Sequence, residues 1–175
     1  MDFTVDKEKA IEALVYIATA LPGVDRFHAC KILYFAERDH LRSFGRPIIG
    51  DRYHAMANGP VPSFAYDVLK GELNPSDRDL VDGALVSVDR HHHPSYEAGR
   101  KPRLEFFSVS DRRCLDRAIA YCAERSFAAI SDETHQHKAW SNASVNAPMN
   151  WADFLDGIDA ITVEESKVFA AYGVL

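Results

Sequence analysis

Apolar and polar residues alternate with helical spacing in the first part of the chain. A first helix is predicted after Asp6, which can cap its N-terminus, and its inward positions recur every three or four residues: Ala10, Ile11, Leu14, Ile17, Ala18 and Leu21. Pro22-Gly23 predicts its end. A second helix is predicted from Asp25 to about Phe44, where Gly45 ends it. Because this second helix is apolar on two sides, we expect it to lie at the centre of the fold.

The residues after the second helix predict a rigid turn. A short strand is predicted from Asp51 to Met56, followed by a tight turn at Asn58-Gly59, whose glycine allows a positive φ. Pro60 and Pro62 stiffen the exit from this turn and restrict the unfolded chain, so the turn should be ordered before any partner binds. A third helix is predicted from Pro62, which suits a first helical turn, to a cap at Gly71.

The middle of the chain contains the clearest β signal. Two segments rich in β-branched and aromatic residues, Ala84 to Val88 and Leu104 to Val109, predict an antiparallel hairpin. The residues between them, Asp89 to Arg103, predict a long loop with four basic residues: Arg90, Arg100, Lys101 and Arg103. A loop of this length without structure of its own tends to be mobile, functional or both.

Further helices are predicted towards the C-terminus. Asp111 can cap one helix, Ser131 can begin a short one, and Thr162 to Glu165 form a capping box for the last one. Together these elements predict a mainly α, α+β fold for residues 1–175. We expect a single-domain helical bundle around the second helix, with one small antiparallel β-hairpin packed against it.

The composition is that of a soluble globular protein, with 175 residues, 47% hydrophobic and 26% charged. Three cysteines without metal-binding spacing predict buried free thiols in a reducing compartment: Cys30, Cys114 and Cys122. The sequence has neither a membrane-spanning apolar run nor a leader-like start, so we expect a cytoplasmic protein that contacts no membrane. The net charge of −6 disfavours a nucleic-acid partner, because phosphate binding needs clustered Lys and Arg.

The eight histidines raise the question of a metal site. His91, His92 and His93 are consecutive, and neighbouring side chains in an extended loop point in opposite directions. His135 and His137 are two apart, which places them on different faces of a helix. The sequence contains no H-E-x-x-H, no G-x-S-x-G and no glycine-rich phosphate loop, so we predict no metal, no cofactor and no catalytic residues. One enzyme class stays open, a metal-dependent hydrolase whose site folding would assemble from Asp39, His40, His54 and His135.

The second helix carries a polar stripe that could bind an acidic group. Lys31, Tyr34 and Arg38 lie at positions i, i+3 and i+7, between the two apolar arcs. The alternative is structural: Lys31 and Arg38 would pair with Glu37, Asp39 or another carboxylate. The turn from Asn58 to Pro62 likewise either contacts a partner or only fixes the angle between two elements. Four aromatic residues beside these regions suit an interface or a core equally: Tyr53, Phe64, Tyr66 and Tyr96.

Three segments follow one another in a characteristic order: KILYFAER from Lys31 to Arg38, GRPIIGD from Gly45 to Asp51, and NGPVP from Asn58 to Pro62. Their order and spacing resemble the Panacea domain, the core of SocA-like antitoxins and of phage-associated GepA-like proteins. The resemblance is strongest over residues 25–71. It implies a non-enzymatic antitoxin, bacterial or phage-derived, that recognises a cognate toxin protein and neutralises it by direct contact. For SocA-like relatives it also implies a proteolytic adaptor, which delivers the bound toxin to an ATP-dependent AAA+ protease such as ClpXP.

Both mechanisms need a binding surface, which we expect on the Arg52–Tyr66 turn and the Asp89–Arg103 loop. The partner-binding residues predicted from these segments and from the stripe are Lys31, Tyr34, Arg38, Arg52, Tyr53, Asn58, Pro60, Pro62, Tyr66, Tyr96, Arg100 and Lys101. On such a surface, charge complementarity mainly raises the association rate, whereas a few buried aromatic anchors carry the affinity. A DNA-binding autoregulator is a further interpretation, against which the acidic total counts.

Overall fold

The structure, a computed structural model, describes residues 2–90 and 93–157. Its helices are α1 (Lys7–Ala20), α2 (Arg26–Phe44), α3 (Ser63–Lys70), α4 (Pro75–Arg78), α5 (Val109–Ala123), α6 (Phe127–Gln136) and α7 (Lys138–Ser141). Its strands are β1 (Val24–Asp25), β2 (Tyr53–Met56), β3 (Gly59–Pro62), β4 (Leu85–Arg90) and β5 (His93–Ala98). Short 3₁₀ turns lie at Asp79–Val81, Leu104–Phe106 and Trp151–Leu155. The last predicted helix, after Thr162, lies outside the described residues.

The first two helices begin and end where their sequences predict. The carboxylate of Asp6 accepts the backbone N–H of Lys9 at 3.0 Å, and that of Asp25 accepts the N–H of His28 at 2.9 Å. These bonds satisfy amide donors that a helix N-terminus otherwise leaves free. Gly45 ends α2 in the left-handed conformation, with φ of 74°. The two helices were therefore specified by local signals.

Helix α2 is the central element of the fold. It packs against α1, α3, α5 and β3, and its buried residues face both of its apolar sides. One hydrophobic core lies between α1, α2 and α5, while a second, aromatic core contains Tyr34, Tyr53, Trp151 and Phe154. The predicted mainly α fold around the second helix is confirmed. In the part of the chain that the structure describes, no helix has both the length and the apolar character to cross a bilayer.

The predicted hairpin is correct for its first strand and wrong for its second. Strand β4 pairs antiparallel with β5, with Leu85 opposite Ala98 and Arg90 opposite His93, and β5 also pairs with β1. Strand β5 therefore occupies the segment predicted as a loop, whereas Leu104–Phe106 forms a 3₁₀ turn. Tyr96 supplies the physical reason, because its buried side chain anchors β5 across the core.

The predicted strand and turn after the second helix form a second hairpin, but the turn residues are Ala57 and Asn58, one position earlier than predicted, and Gly59 begins β3. Strands β2 and β3 pair antiparallel, from Tyr53 opposite Pro62 to Met56 opposite Gly59. The outer edge of β2 is covered: the N–H of Ala55 donates to Ala147 O at 3.0 Å. Covering this edge leaves fewer backbone groups free for unspecific strand pairing. The hairpin leads directly into α3, which ends at Gly71 with φ of 72°, as predicted.

Two helix starts differ from their predictions. Helix α5 is capped by Ser108, whose hydroxyl accepts the backbone N–H of Asp111 three residues later. The Asp111 carboxylate in turn accepts the Ser108 N–H. Helix α6 begins at Phe127 with Ser126 as its cap, so Ser131 lies inside the helix and is buried. Ser126 and Ser108 accept amide donors as well as Asp does, and a serine cap is easily overlooked when an aspartate stands nearby.

Candidate partner-binding groove

A buried glutamate holds the loop that follows α2. The carboxylate of Glu37 is fully buried and accepts three backbone N–H groups, from Ile48 and Ile49 at 2.8 Å each and from Gly50 at 3.1 Å. Burial raises its pKa to about 7, while the three donors act in the opposite direction. The sequence had offered Glu37 as an ion-pair partner of Lys31 or Arg38. Its actual role is to fasten the GRPIIGD segment to α2.

A buried aspartate begins the third helix. Asp51 accepts the N–H groups of Phe64 and Ala65 at 3.1 and 3.0 Å, which fixes α3 against the loop. Burial raises the pKa of Asp51 to about 6. Both acids stand within the motif segments, but the sequence suggests only an ion pair for Glu37 and no role for Asp51. Their signal was an acidic residue inside an otherwise apolar segment, where only hydrogen bonding can compensate burial.

A buried lysine joins α2 to the β2–β3 hairpin. The side chain of Lys31 is 1% exposed, and its ammonium donates to Pro60 O at 2.7 Å and lies 4.8 Å from the centre of the Phe27 ring. Burial lowers its pKa to about 8. Together, Lys31, Glu37 and Asp51 connect the three motif segments into one rigid unit at the centre of the protein.

An open groove of about 610 Å³ lies where α2 begins, between the β2–β3 turn and the start of α6. Its walls are mainly apolar and aromatic and come from Phe27, Met56, Val61, Tyr66, Pro94 and Phe127. Phe127 is 46% exposed and Met56 is 36% exposed, and the Phe27 and Phe127 rings lie 4.1 Å apart. Such a concave, partly aromatic surface can receive an apolar side chain of a partner.

The structure brings some of the predicted partner-binding residues to this groove. Lys31, Asn58 and Tyr66 line it, and the carbonyl of Pro60 lies beneath it, bonded to Lys31. Pro62 is buried and stands directly before α3. The predicted turn and the start of α2 thus share one surface, to which the described residues of the Asp89–Arg103 segment contribute Pro94 and His93.

Three predicted aromatic contacts belong instead to the interior. Tyr34 is fully buried, and its hydroxyl shares a hydrogen bond with Nδ1 of His137 at 2.9 Å. Burial lowers the pKa of His137 to about 4, so its ring is neutral at pH 7. Tyr53 is 1% exposed within the aromatic core, and Tyr96 is buried with its hydroxyl bonded to Leu69 O. Tyr53 and Tyr96 therefore lie in the core, one of the two settings that the sequence left open, and Tyr34 of the predicted stripe is also interior.

The three residues of the predicted polar stripe on α2 do not share one surface. Arg38 points away from the groove and binds Asp156, with Nη2 to Oδ1 at 2.6 Å. Arg42 binds the same carboxylate at 3.1 Å. The structural alternative is therefore correct for Arg38. Arg52 and Lys101 are exposed outside the groove lining.

Arg100 is engaged inside the protein rather than free for a partner. Its Nη1 donates to Oε2 of Glu12 at 2.9 Å, and the N–H and Nε of Arg103 reach the same carboxylate at 2.8 Å each. Glu12 is fully buried on α1. Burial alone would raise its pKa, but the bonds from Arg100 and Arg103 outweigh burial and lower it to about 2.

Replacing Glu12 with glutamine should make stability less dependent on acid pH. The folded-state pKa of Glu12 lies below its unfolded value, so its contribution is complete above about pH 4.5 and is lost as pH falls towards 2. We expect Glu12→Gln to cost about 2 kcal/mol at pH 7, discounted for partly exposed arginines, and much less at pH 3. Urea unfolding at both pH values measures this, with exposed Glu124→Gln as the control. An equal cost at both pH values would contradict the ion-pair explanation.

The four residues proposed for a hydrolase site lie apart. His40 is buried with Nδ1 at 2.8 Å from Arg46 O and Nε2 at 3.0 Å from Asp111, whereas His54 contacts Ser63. His135 stacks on Trp140, and Asp39 binds Arg117. Within residues 2–90 and 93–157, no three His, Cys, Asp or Glu side chains are grouped as metal ligands would be. In this part of the chain, the four side chains named for a hydrolase therefore do not form a metal-ligand group.

The comparison with protein families gives a match over most of the chain. The family described as antitoxin SocA-like, Panacea domain, matches residues 30–141, which is more than half of the chain and extends well past the three motif segments. Comparisons with curated proteins and with solved structures give no match. The matched range includes all three residues that connect the motif segments, Lys31, Glu37 and Asp51, and most of the groove. The chain therefore belongs to the SocA-like antitoxin family defined by the Panacea domain.

Proposed function

We propose that this antitoxin-family protein neutralises a cognate toxin protein by binding it directly through the groove at the start of α2. The observation that supports this most is the position of the groove. Asn58 and Val61 of the NGPVP segment line one side of it, and Lys31, the first residue of the KILYFAER segment, lines another. The family's characteristic residues thereby serve to build a surface, which is what a neutralising protein needs.

The exposed apolar side chains support a protein partner. Phe127 and Met56 stand at the groove with a large part of their surface in water, which costs free energy unless something covers them. Aromatic residues in such a setting are frequent binding hot spots. Phe127 rests on Phe27, so it is held in place rather than free to fold back.

The rigidity of the groove supports tight binding. Lys31 fastens the hairpin carbonyl of Pro60 to α2, and Asp51 fastens the start of α3. Pro60 and Pro62 further limit the conformations of β3. A surface that is ordered beforehand loses little entropy on binding, so more of the contact energy appears as affinity.

Replacing Phe127 with aspartate should abolish neutralisation. The change puts a charge on the apolar wall and removes the ring that contacts Phe27, so the affinity for the toxin should fall at least about 30-fold. The chain is co-expressed with the product of its neighbouring open reading frame, and colony formation is counted. The control is Val109→Asp, a 73% exposed apolar residue at the start of α5, which should rescue growth like the unaltered chain. Rescue by Phe127→Asp at wild-type level would sink the groove assignment, and failure of the unaltered chain to rescue would sink the antitoxin function.

The resemblance to SocA-like antitoxins motivates a second stage, in which the bound toxin is delivered to an AAA+ protease such as ClpXP. On this proposal the antitoxin binds the toxin with the groove and leaves another face for the protease. Toxin half-life in cells with and without the protease separates the two mechanisms. Sequestration leaves the toxin stable, whereas delivery shortens its half-life only when antitoxin and protease are both present.

A further inference from the structure

The groove carries a cation on its rim that no carboxylate neutralises. The guanidinium of Arg26 contacts the Tyr96 hydroxyl through Nε at 3.3 Å and Nη2 at 3.2 Å and lies 5.6 Å from the centre of the Tyr66 ring. Among the described residues, no acid lies within ion-pair distance of it. Since a guanidinium has five N–H donors, Arg26 keeps donors for a further group.

A second cation, Lys31, also lines the groove. Lys31 is buried, and its contacts are a carbonyl and the face of Phe27 rather than an acid. Burying an ammonium without an opposite charge is costly. In the described part of the chain it stays without a carboxylate partner, so it adds positive potential to the groove.

The acid that lines the groove is already engaged. Asp25 accepts the N–H of His28 at 2.9 Å as a helix cap and binds the ring of the same residue at 2.6 Å. Both of these bonds are to His28, and neither Arg26 nor Lys31 forms an ion pair with this carboxylate. Cations elsewhere are treated differently: Lys9 binds Asp111 at 2.9 Å, and Arg103 binds Glu12 at 2.8 Å.

A second depression lies next to the groove. It has a volume of about 350 Å³, shares Arg26 and Pro94 with the groove as lining residues, and is also lined by Leu85 and Tyr96. The two neighbouring depressions together offer more surface than one side chain needs. Their combined surface suits an extended stretch of polypeptide better than a small anion.

We propose that the groove recognises an acidic and apolar segment of the partner toxin, in which an Asp or Glu stands beside an aliphatic or aromatic residue. This inference rests on the proposed function and specifies what the groove accepts. The carboxylate pairs with Arg26 in a charge-assisted bond, and Lys31 strengthens the attraction from below. The neighbouring apolar side chain packs between Phe127 and Met56, where it covers their exposed surface.

Selection from a random peptide library displayed on phage tests this proposal with the full chain as bait. We expect the enriched peptides to place Asp or Glu next to Leu, Ile, Met, Phe or Trp. With the Phe127→Asp variant as bait, these peptides should no longer be enriched. Arg26→Gln should lower the affinity for a selected synthetic peptide about tenfold or more, as expected for loss of a charged hydrogen bond. Arg26→Glu should shift the selection towards Lys and Arg.

Arg26→Lys is the matched control for structure. Lysine loses the two-nitrogen contact with Tyr96 as glutamine does, but it keeps the positive charge. The acidic preference should therefore survive in Arg26→Lys and vanish in Arg26→Gln. Arg113→Gln, beside Phe44 at the opposite end of α2, should bind like the unaltered chain.

The outcomes separate this inference from the proposed function. If the chain rescues growth but the selected peptides lack acids, or no peptides are enriched, the acidic specificity is wrong and toxin binding stands. If Arg26→Gln and Arg26→Lys lose binding equally, the residue acts through Tyr96 and the inference is also overturned. If acidic and apolar peptides bind but growth is not rescued, the chemistry of the groove is confirmed and the toxin as its partner is rejected.

Discussion

Replacing Glu37 with alanine should lower the free energy of unfolding by about 4 kcal/mol, enough to unfold much of a marginally stable domain. The carboxylate of Glu37 is the acceptor for three consecutive backbone N–H groups, from Ile48 to Gly50. Alanine leaves these donors buried without a partner, at about 1 to 3 kcal/mol each, and opens a cavity within α2's contacts. Local rearrangement will recover part of this cost, because the loop can shift towards water.

Urea unfolding followed by circular dichroism measures the effect. Glu37→Gln separates hydrogen bonding from volume, since glutamine fills the space but keeps a single side-chain acceptor oxygen. We expect glutamine to fall between the unaltered chain and alanine. Exposed Glu124→Ala should change the unfolding free energy by less than about 0.5 kcal/mol. A similarly small effect for Glu37→Ala would show that the loop holds itself without the carboxylate.

Replacing Gly59 with alanine should be the most damaging change in the hairpin and should lower the free energy of unfolding. Gly59 has φ of +98°, and an added Cβ would lie 2.3 Å from Oγ1 of Thr134 and 3.1 Å from Cε of Lys31. Thr134 is fully buried and donates to Ser131 O, so it cannot simply turn aside. We expect a loss of about 3 kcal/mol, from backbone strain plus the displaced contacts of Thr134 and Lys31.

Gly71 provides the matched comparison for this prediction. It also has a positive φ, of +72°, but an added Cβ there meets no atom within 4 Å. Gly71→Ala should therefore cost only the strain, about 1 kcal/mol. Thr134→Ala should relieve part of the clash, so the double variant Gly59→Ala, Thr134→Ala should be more stable than Gly59→Ala alone. Equal costs at Gly59 and Gly71 would mean that the close packing at the hairpin turn has no energetic role.

Both predictions concern residues whose importance the sequence indicated only by their place in a motif. The motif segments suggested a family, but helical spacing offered Glu37 only as one possible ion-pair partner of Lys31 or Arg38, whereas its carboxylate accepts backbone N–H groups. A buried carboxylate that accepts backbone N–H groups leaves no mark in the hydrophobic pattern, because its partners lie eleven to thirteen residues away. Sequence reasoning also offered Tyr34 and Tyr53 as contacts, since an aromatic residue has the same letter in a core and at an interface.

The sequence by itself determined the elements whose signals are local. Asp6 and Asp25 cap helices within three residues of themselves, Gly45 and Gly71 end helices by their own φ, and the two-sided apolar pattern made α2 central. The tertiary structure decided what depends on distant partners. Strand β5 exists because Tyr96 reaches Leu69 across the core, and the groove exists because α2, the β2–β3 turn and α6 meet there. Helix caps depend on residues a few positions apart, so a short stretch of sequence predicts them. Packing across the fold depends on residues that are far apart in the chain, so no short stretch predicts it.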